Sequence, residues 1–310
     1  MTDVAAPPPT AIRRAPRAHT ERAREERKLG WYLCAPAVAV MLLVTAYPLV
    51  YAVWLSLQRY DLRVPGDQAF VGLRNFVTVL TSELWWRDFL ATTVITVLSV
   101  GLELVLGMGL ALFMHRAVFG RRTVRTSILI PYGIITVVAA FAWQFAFTPD
   151  LGFVNTWLNT DRAWLTERST SYLVITLTEV WKTAPFMSLL LLAGLAIVPE
   201  ELQEAAKVDG ATAWQRFTKV TLPTMKGAVL VALLFRTLDA FRIFDTVFVQ
   251  TRGANDTETV SMLGYNQLIN RVNLGVGSAV SVLLFLTVVL IAILFVKGFK
   301  ADLGQVRGER

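Results

Sequence analysis

Cysteine, histidine and charge are all scarce in this 310-residue chain, and each shortage closes off a class of function. The single cysteine, Cys34, excludes a disulfide framework within the chain and reads as a packing residue in an apolar stretch. The two histidines, His19 and His115, stand in the N-terminal stretch and at the end of an apolar run, where both read as solvated surface residues. No metal-ligand spacing and no nucleophile–base set is present, so neither a metal site nor a catalytic centre is expected. The phosphate loop GxxxxGKS/T is absent too, so a nucleotide site of that type has to belong to a partner. Only 17% of residues are charged while 55% are hydrophobic, which excludes an ordinary soluble domain. The net charge of +7 would suit a nucleic-acid binder only with a basic, aromatic-studded surface, and here the basic residues sit between apolar segments.

What the chain has instead is long apolar runs. Six are long enough to cross a bilayer: residues 31–57, 89–114, 124–147, 171–198, 227–249 and 277–296. An all-α polytopic membrane protein is the expected fold class. Residues 1–30, Pro/Ala-rich and then highly charged, read as a disordered basic tail, and residues 299–310 as a C-terminal tail. The first apolar run is about twice the length of a signal-peptide core, so it reads as a retained anchor. Alternate connections differ in basic residues. The set comprising the N-terminal tail, 115–126, 199–226 and the C-terminus holds nineteen Lys and Arg against eight in the other. Because cytoplasmic loops retain basic residues, both termini are expected in the cytoplasm, with the six-helix domain spanning 31–298. Trp85, Trp86, Trp157 and Trp164 mark the opposite boundary, since tryptophan favours the headgroup region, and the long connections there can carry short surface helices or touch an extracellular partner. No internal repeat stands out.

The connection between the fourth and fifth runs, PEELQEAAKVDGATAWQRFTKVTLPTMK, reads as two short helices with a break. Pro199 suits a helix start, and Glu200 and Glu201 favour the positive end of the helix dipole. Asp209-Gly210 supplies a turn, a second helix follows through 211–219, and Leu222-Pro223 closes it. Ala205 and Ala206 give the first helix a smooth face, with Glu204 beside them as a partner for a basic group. From the residues alone, a cleft-filling helix and an amphipathic helix lying on the membrane are equally served.

The stretch EAAKVDGATAWQRFTKVTLP resembles the EAA loop of binding-protein-dependent ABC importer permeases. Glu204, Ala205, Ala206, Gly210, Val220, Leu222 and Pro223 fall on its pattern of Glu-Ala-Ala, three residues, Gly, nine residues, an aliphatic residue, one residue, Leu-Pro. The resemblance implies a coupling helix, Asp209 included, seated in a cleft of the nucleotide-binding subunit. A second stretch, FRTLDAFRIFDTVFVQTRGANDTETVSMLGYNQLI, resembles the fifth helix and following loop of carbohydrate permeases, through Asp239, Phe241, Phe244, Asp245, Thr251, Gly253, Thr257 and Tyr265. It departs from them at Arg252, Ala254 and Asn255, where that family has a glycine-rich turn ending in proline. Within the family the chain most resembles permeases of disaccharide importers, such as those for trehalose.

Charges inside the apolar runs cost ~2.5–3.5 kcal/mol each on insertion scales and should face a cavity or one another. Glu179 and Lys182 are spaced for an ion pair, and Pro185 can bend the helix one turn later. They serve either a sugar-facing cluster or a structural pair between helices. Arg236, Asp239, Arg242 and Asp245 alternate in sign every three residues, so each can pair with the next along a stripe facing a partner subunit or the pathway, with Arg236 the more structural. Phe241, Phe244 and Trp181 offer aromatic faces, Gln144 is placed at the outer mouth, and Glu103 is either protonated or paired with a residue such as Arg236.

The resemblance implies alternating access. This chain would pair with a second, homologous permease, two ABC ATPase subunits would close on ATP and Mg2+, and an extracytoplasmic sugar-binding lipoprotein would deliver the carbohydrate. No cofactor on this chain, no nucleic acid and no catalysis by the chain itself are expected. An ion-coupled secondary transporter is the competing class, with intramembrane carboxylates as its coupling site and no need of the EAA-like loop.

Overall fold

The computed structural model describes residues 21–116 and 120–307. It is helical almost throughout, with four helices long and apolar enough to cross a membrane, or six if each of two bent pairs counts as one span. Residues 1–20 and 308–310 of the expected tails lie outside the described residues. The remainder of both tails is helical: residues 21–30 open α1 (Glu21–Ser56), and residues 299–307 close α14 (Leu274–Arg307). Residues 21–30 are rich in Glu and Arg, strong helix formers that extend a span already nucleated.

Residues 1–51 and 52–310 form two separate units. In the first, the side chains of α1 between Leu29 and Tyr51 are largely exposed, and Tyr47 stacks on Tyr51 one turn later. The second unit begins with a short hairpin, β1 (Gln58–Arg59) antiparallel to β2 (Ala69–Phe70), closed by an Arg59–Asp67 ion pair of 2.6 Å. Helix α2 (Arg74–Leu80) caps it, because the buried Asn75 amide donates to the carbonyls of Ser56 and Gln58 at 2.8 and 2.7 Å. The start of α14 joins in through the Gly275 N–H to Tyr60 O and through Asn273, which donates to Asp61 at 3.3 Å.

The core lies between α3 (Glu83–Arg116) and α7 (Arg168–Leu195), helices of 34 and 28 residues. They meet closely at Gly107, where an added Cβ would stand 2.8 Å from Met187 Cγ. Met108, Ala111, Met114, Met187, Leu191 and Leu195 pack around this approach. Between helices in lipid, tight packing of this kind takes the place of hydrophobic exclusion. Pro185 lies inside α7 without ending it.

The third expected span is not one straight helix. It is α4 (Arg121–Gly133) and α5 (Thr136–Ala146), bent by 86°. Pro131 lacks an N–H and Gly133 weakens the last turn of α4, after which Ile134 and Ile135 are extended. The fifth expected span is likewise divided into α11 (Lys226–Ala240) and α12 (Asp245–Gln250), separated by residues 241–244. No Pro or Gly lies at that break. The Ile243 carbonyl instead accepts from Thr259 Oγ1 at 3.0 Å, so a residue sixteen positions away replaces the helical partner. Two short helices, α6 (Phe153–Leu158) and α13 (Val260–Tyr265), lie in the connections after α5 and α12. Helix α6 and α2 are the surface helices that the long connections allowed.

Candidate functional site

The two breaks open onto one cavity of about 430 Å³, lined by Tyr132 and Thr136 from α4 and α5, Glu179, Lys182 and Thr183 from α7, and Arg236, Asp239, Arg242, Ile243, Phe244, Asp245 and Thr246 from α11, the break and α12. Glu179 stands near the middle of the 28-residue α7, so the cavity sits at mid-depth of the bundle. Non-helical backbone is tolerated there because it borders a polar cavity instead of lipid.

A buried ionic network forms its floor. Arg236 is 1% exposed and Glu103 fully buried, and the guanidinium grips that carboxylate through Nε at 2.5 Å and Nη2 at 2.9 Å. The same guanidinium reaches Glu179 at 3.1 Å and Asp239 at 2.8 Å. Thr183 Oγ1 donates to Glu103 at 2.7 Å, and Thr246 Oγ1 donates to the other oxygen of Glu179. One cation therefore ties α3, α7 and α11 together, with α12 joined through Thr246. An unpaired charge at this depth would cost several kcal/mol, so every member depends on Arg236.

Of the residues expected on the substrate pathway, Glu179, Lys182, Asp239, Arg242, Phe244 and Asp245 converge on this cavity. Their pairing differs from the expected stripe. Only Arg236–Asp239 forms an ion pair, because the break at 241–244 takes Arg242 and Asp245 off the helical register, and Arg242 Nε donates to Leu238 O at 3.3 Å. Glu179 does not pair with Lys182: the carboxylate is taken by Arg236 and Thr246, and Lys182 Nζ lies 5.5 Å over the Tyr132 ring. Three residues lie elsewhere. Phe241 is buried edge-on against Phe89, Trp181 packs on Trp143, and Gln144 donates to Gln250 O at 3.4 Å in a second cavity near the end of α5. The sequence reading missed Tyr132, Thr136, Thr183 and Thr246. The Pro131–Gly133 pair beside Tyr132 was a usable signal of a break, while threonines on an apolar helix carry none.

The 199–226 connection folds as two helical stretches, residues 200–208 and 213–224. The second runs through Leu222 and Pro223, which were expected to close it, because a proline is tolerated in the first turn of a helical segment, where its missing N–H has no partner to lose. Helix α8 (Glu200–Val208) carries Glu200 and Glu201 in its first turn and Lys207 in its last, each opposing the helix dipole. It ends in a Schellman motif, with Gly210 at φ +80°, its N–H on Lys207 O and the Ala211 N–H on Ala206 O. Thr212 and Gln215 then form a capping box for α9 (Ala213–Arg216), and a π-helical turn, Phe217–Thr221, leads into α10 (Leu222–Thr224). Gln203 Nε2 donates to Thr221 Oγ1 at 2.9 Å and braces α8 against that turn. Glu204, Ala205, Asp209, Leu222 and Pro223 are exposed and Ala206 half-buried. Leu202, Ala205 and Val208 recur every three residues as an apolar stripe, with Val208 88% and Trp214 72% exposed.

Residues 103–302 match the family described as binding-protein-dependent transport system inner membrane component. The trehalose transport system permease protein SugA of Mycobacterium tuberculosis is 55% identical over 276 residues, covering 89% of this chain and 90% of that protein. The trehalose/maltose transport system permease protein MalF of Thermococcus litoralis is 37% identical over 278 residues, covering 88% of this chain and 94% of that protein. In fold, the chain is similar to one chain of a bacterial alginate ABC transporter crystallised with an alginate pentasaccharide-bound periplasmic protein. The TM-score is 0.76 at 22% identity, over 90% of this chain and 96% of that one.

Proposed function

Because the chain belongs to the binding-protein-dependent transport system inner membrane components, we propose that it is the membrane subunit of an ATP-driven importer whose cargo is a carbohydrate, a disaccharide such as trehalose. The observation that carries the cargo reading is the mid-depth cavity in which carboxylates, cations and an aromatic face meet. A sugar presents hydroxyls that both donate and accept, along with apolar C–H faces. Asp239 and Asp245 are placed to accept from hydroxyls, Lys182 and Arg242 to donate, and Phe244 and Tyr132 to stack. Glu179 is held by Arg236 and Thr246 and positions the wall of the cavity. A cavity lined by both signs is matched to a neutral polar solute.

The loop holding α8 and α9 is the proposed docking site for the ATPase, with Glu204, Ala205, Ala206, Asp209 and Gly210 at the contact. It joins α7 at one end and α11 at the other, and both of those helices line the cavity. A push on the braced α8–α10 unit therefore reaches two walls of the sugar site at once. A second, homologous permease would complete the pathway, two ATPase subunits would bind ATP and Mg2+, and an extracytoplasmic binding lipoprotein would deliver the sugar. The chain would sit as a multi-pass protein in the plasma membrane with both termini cytoplasmic.

Alanine at Asp239 or Arg242 tests the cavity. Loss of one charged hydrogen bond, worth ~1.5–3 kcal/mol, should lower uptake of labelled trehalose by about ten- to hundredfold while the assembled complex keeps its membrane level. If uptake falls only in proportion to assembly, these residues hold subunits together and the cavity reading fails.

A further inference from the structure

A second cavity of about 360 Å³ lies at the end of the bundle remote from α8, and its chemistry differs from the first. Among the described residues, no charged side chain lines it. Its walls are Phe141, Phe145, Phe147 and Trp164, with the amides of Gln144 and Gln250 among them. Gln250 is 4% exposed and gives its Nε2 to Thr178 Oγ1 at 2.8 Å, yet its Oε1 is buried without a hydrogen-bond partner. A buried amide oxygen left unsatisfied costs ~1–3 kcal/mol, which a hydroxyl donor in the cavity recovers when the Gln250 side chain turns to present it. The Trp164 ring is held in place, because its N–H donates to Asn155 Oδ1 at 2.6 Å and Asn155 in turn donates to Arg162 O at 3.0 Å.

The two cavities share their walls. Helix α12 contributes Thr246 to the charged cavity and Gln250 to the uncharged one, four residues and ~6 Å apart along a helix. Helix α5 contributes Thr136 to the first and Phe141, Gln144 and Phe145 to the second. We propose that the uncharged cavity is a second carbohydrate subsite, taking one pyranose ring between the outer end of the bundle and the charged cavity. The ring stacks its C–H face on the aromatic side chains, and its hydroxyls pair with the Gln144 amide and, as Gln250 turns toward the cavity, donate to its Oε1. This inference rests on the carbohydrate reading above and adds a site to it.

The test uses the complete transporter, with its partner permease, ATPases and loaded binding protein, turning over ATP in proteoliposomes. Cys34→Ala provides a cysteine-free background, into which Gln144→Cys or Asp245→Cys is introduced, and maleimide labelling is timed with and without trehalose. Trehalose is expected to slow labelling at both positions at least threefold, and Gln144→Leu to raise the KM for trehalose about fivefold with little change in kcat. Protection at 245 alone, with an unchanged KM in Gln144→Leu, would overturn the second subsite and leave the charged cavity standing. Protection at neither position overturns the carbohydrate reading itself, and the subsite with it.

Discussion

The 199–226 loop and the central cavity differ in how far along the chain their contacts reach. In the loop, the Schellman motif spans Ala206 to Ala211, the capping box spans Thr212 to Gln215, and the Gln203–Thr221 brace spans eighteen residues. Around the cavity, Arg236 meets Glu103 across 133 positions, Glu179 across 57, and Thr183 meets Glu103 across 80. The loop is a surface element shaped by its own backbone and left with an exposed apolar stripe. The cavity is a tertiary construction in which each charge is tolerable only because others, from distant helices, are in place. Damage to the loop should therefore cost coupling without stability, and damage to the network should cost stability first.

The largest effect is expected at Arg236. Leucine there leaves Glu103 and Glu179 buried without a cation, a loss of ~3–5 kcal/mol, so the chain should all but disappear from the membrane by immunoblot. Adding Glu103→Leu and Glu179→Gln should restore much of that level without restoring uptake. A single Arg236→Leu variant present at full level would break the comparison on its stability side.

At Gly210 the effect is confined. A β-branched residue at φ +80° costs ~1–2 kcal/mol, enough to distort the end of α8 and too little to unfold the bundle. Gly210→Val and Glu204→Lys should keep normal membrane levels, yet co-purify little ATPase and retain under about a tenth of uptake. Normal coupling in both would remove the docking role from the loop.

A smaller effect is expected at the hairpin after α1. Hydrogen bonds from the Arg63 side chain and backbone hold the Asp61 carboxyl down to about 2 from its usual 3.8. A lowered folded-state value means that the stabilisation is present above pH ~4 and is lost as pH falls toward 2. Asp61→Asn should accordingly lower thermal stability slightly and evenly between pH 5 and 8, and flatten the loss of stability seen in the parent between pH 4 and 2, below which the two proteins converge. This exposed site is a control that neither cavity nor loop should resemble.

Much of the fold could be read from the sequence because span length is a local property. The loop was legible at Pro199 and Gly210, which act on their own backbone, whereas Leu222-Pro223 did not close the second helix, which runs on to Thr224. The break at 241–244 was not, because it depends on Thr259 Oγ1 capturing the Ile243 carbonyl, and periodicity through Arg236, Asp239, Arg242 and Asp245 argued for one unbroken helix. For the same reason the expected Glu179–Lys182 pair gave way to Arg236 and Tyr132: helical spacing permits a pair, but the partner with better geometry lies on another helix. Glu103–Arg236 was foreseeable as a pairing of two buried opposite charges, but not its role as the hub of four helices.

The most direct test of the whole account is the energy source of uptake. The purified chain, assembled with its partner permease, ATPases and binding protein in proteoliposomes, should accumulate radiolabelled trehalose only when ATP and Mg2+ reach the ATPase side. Uptake should be insensitive to collapse of proton and sodium gradients, and Gly210→Val should abolish it without loss of assembled complex. Trehalose accumulation that persists without ATP and vanishes with the ion gradient would contradict the account and leave an ion-coupled transporter in its place.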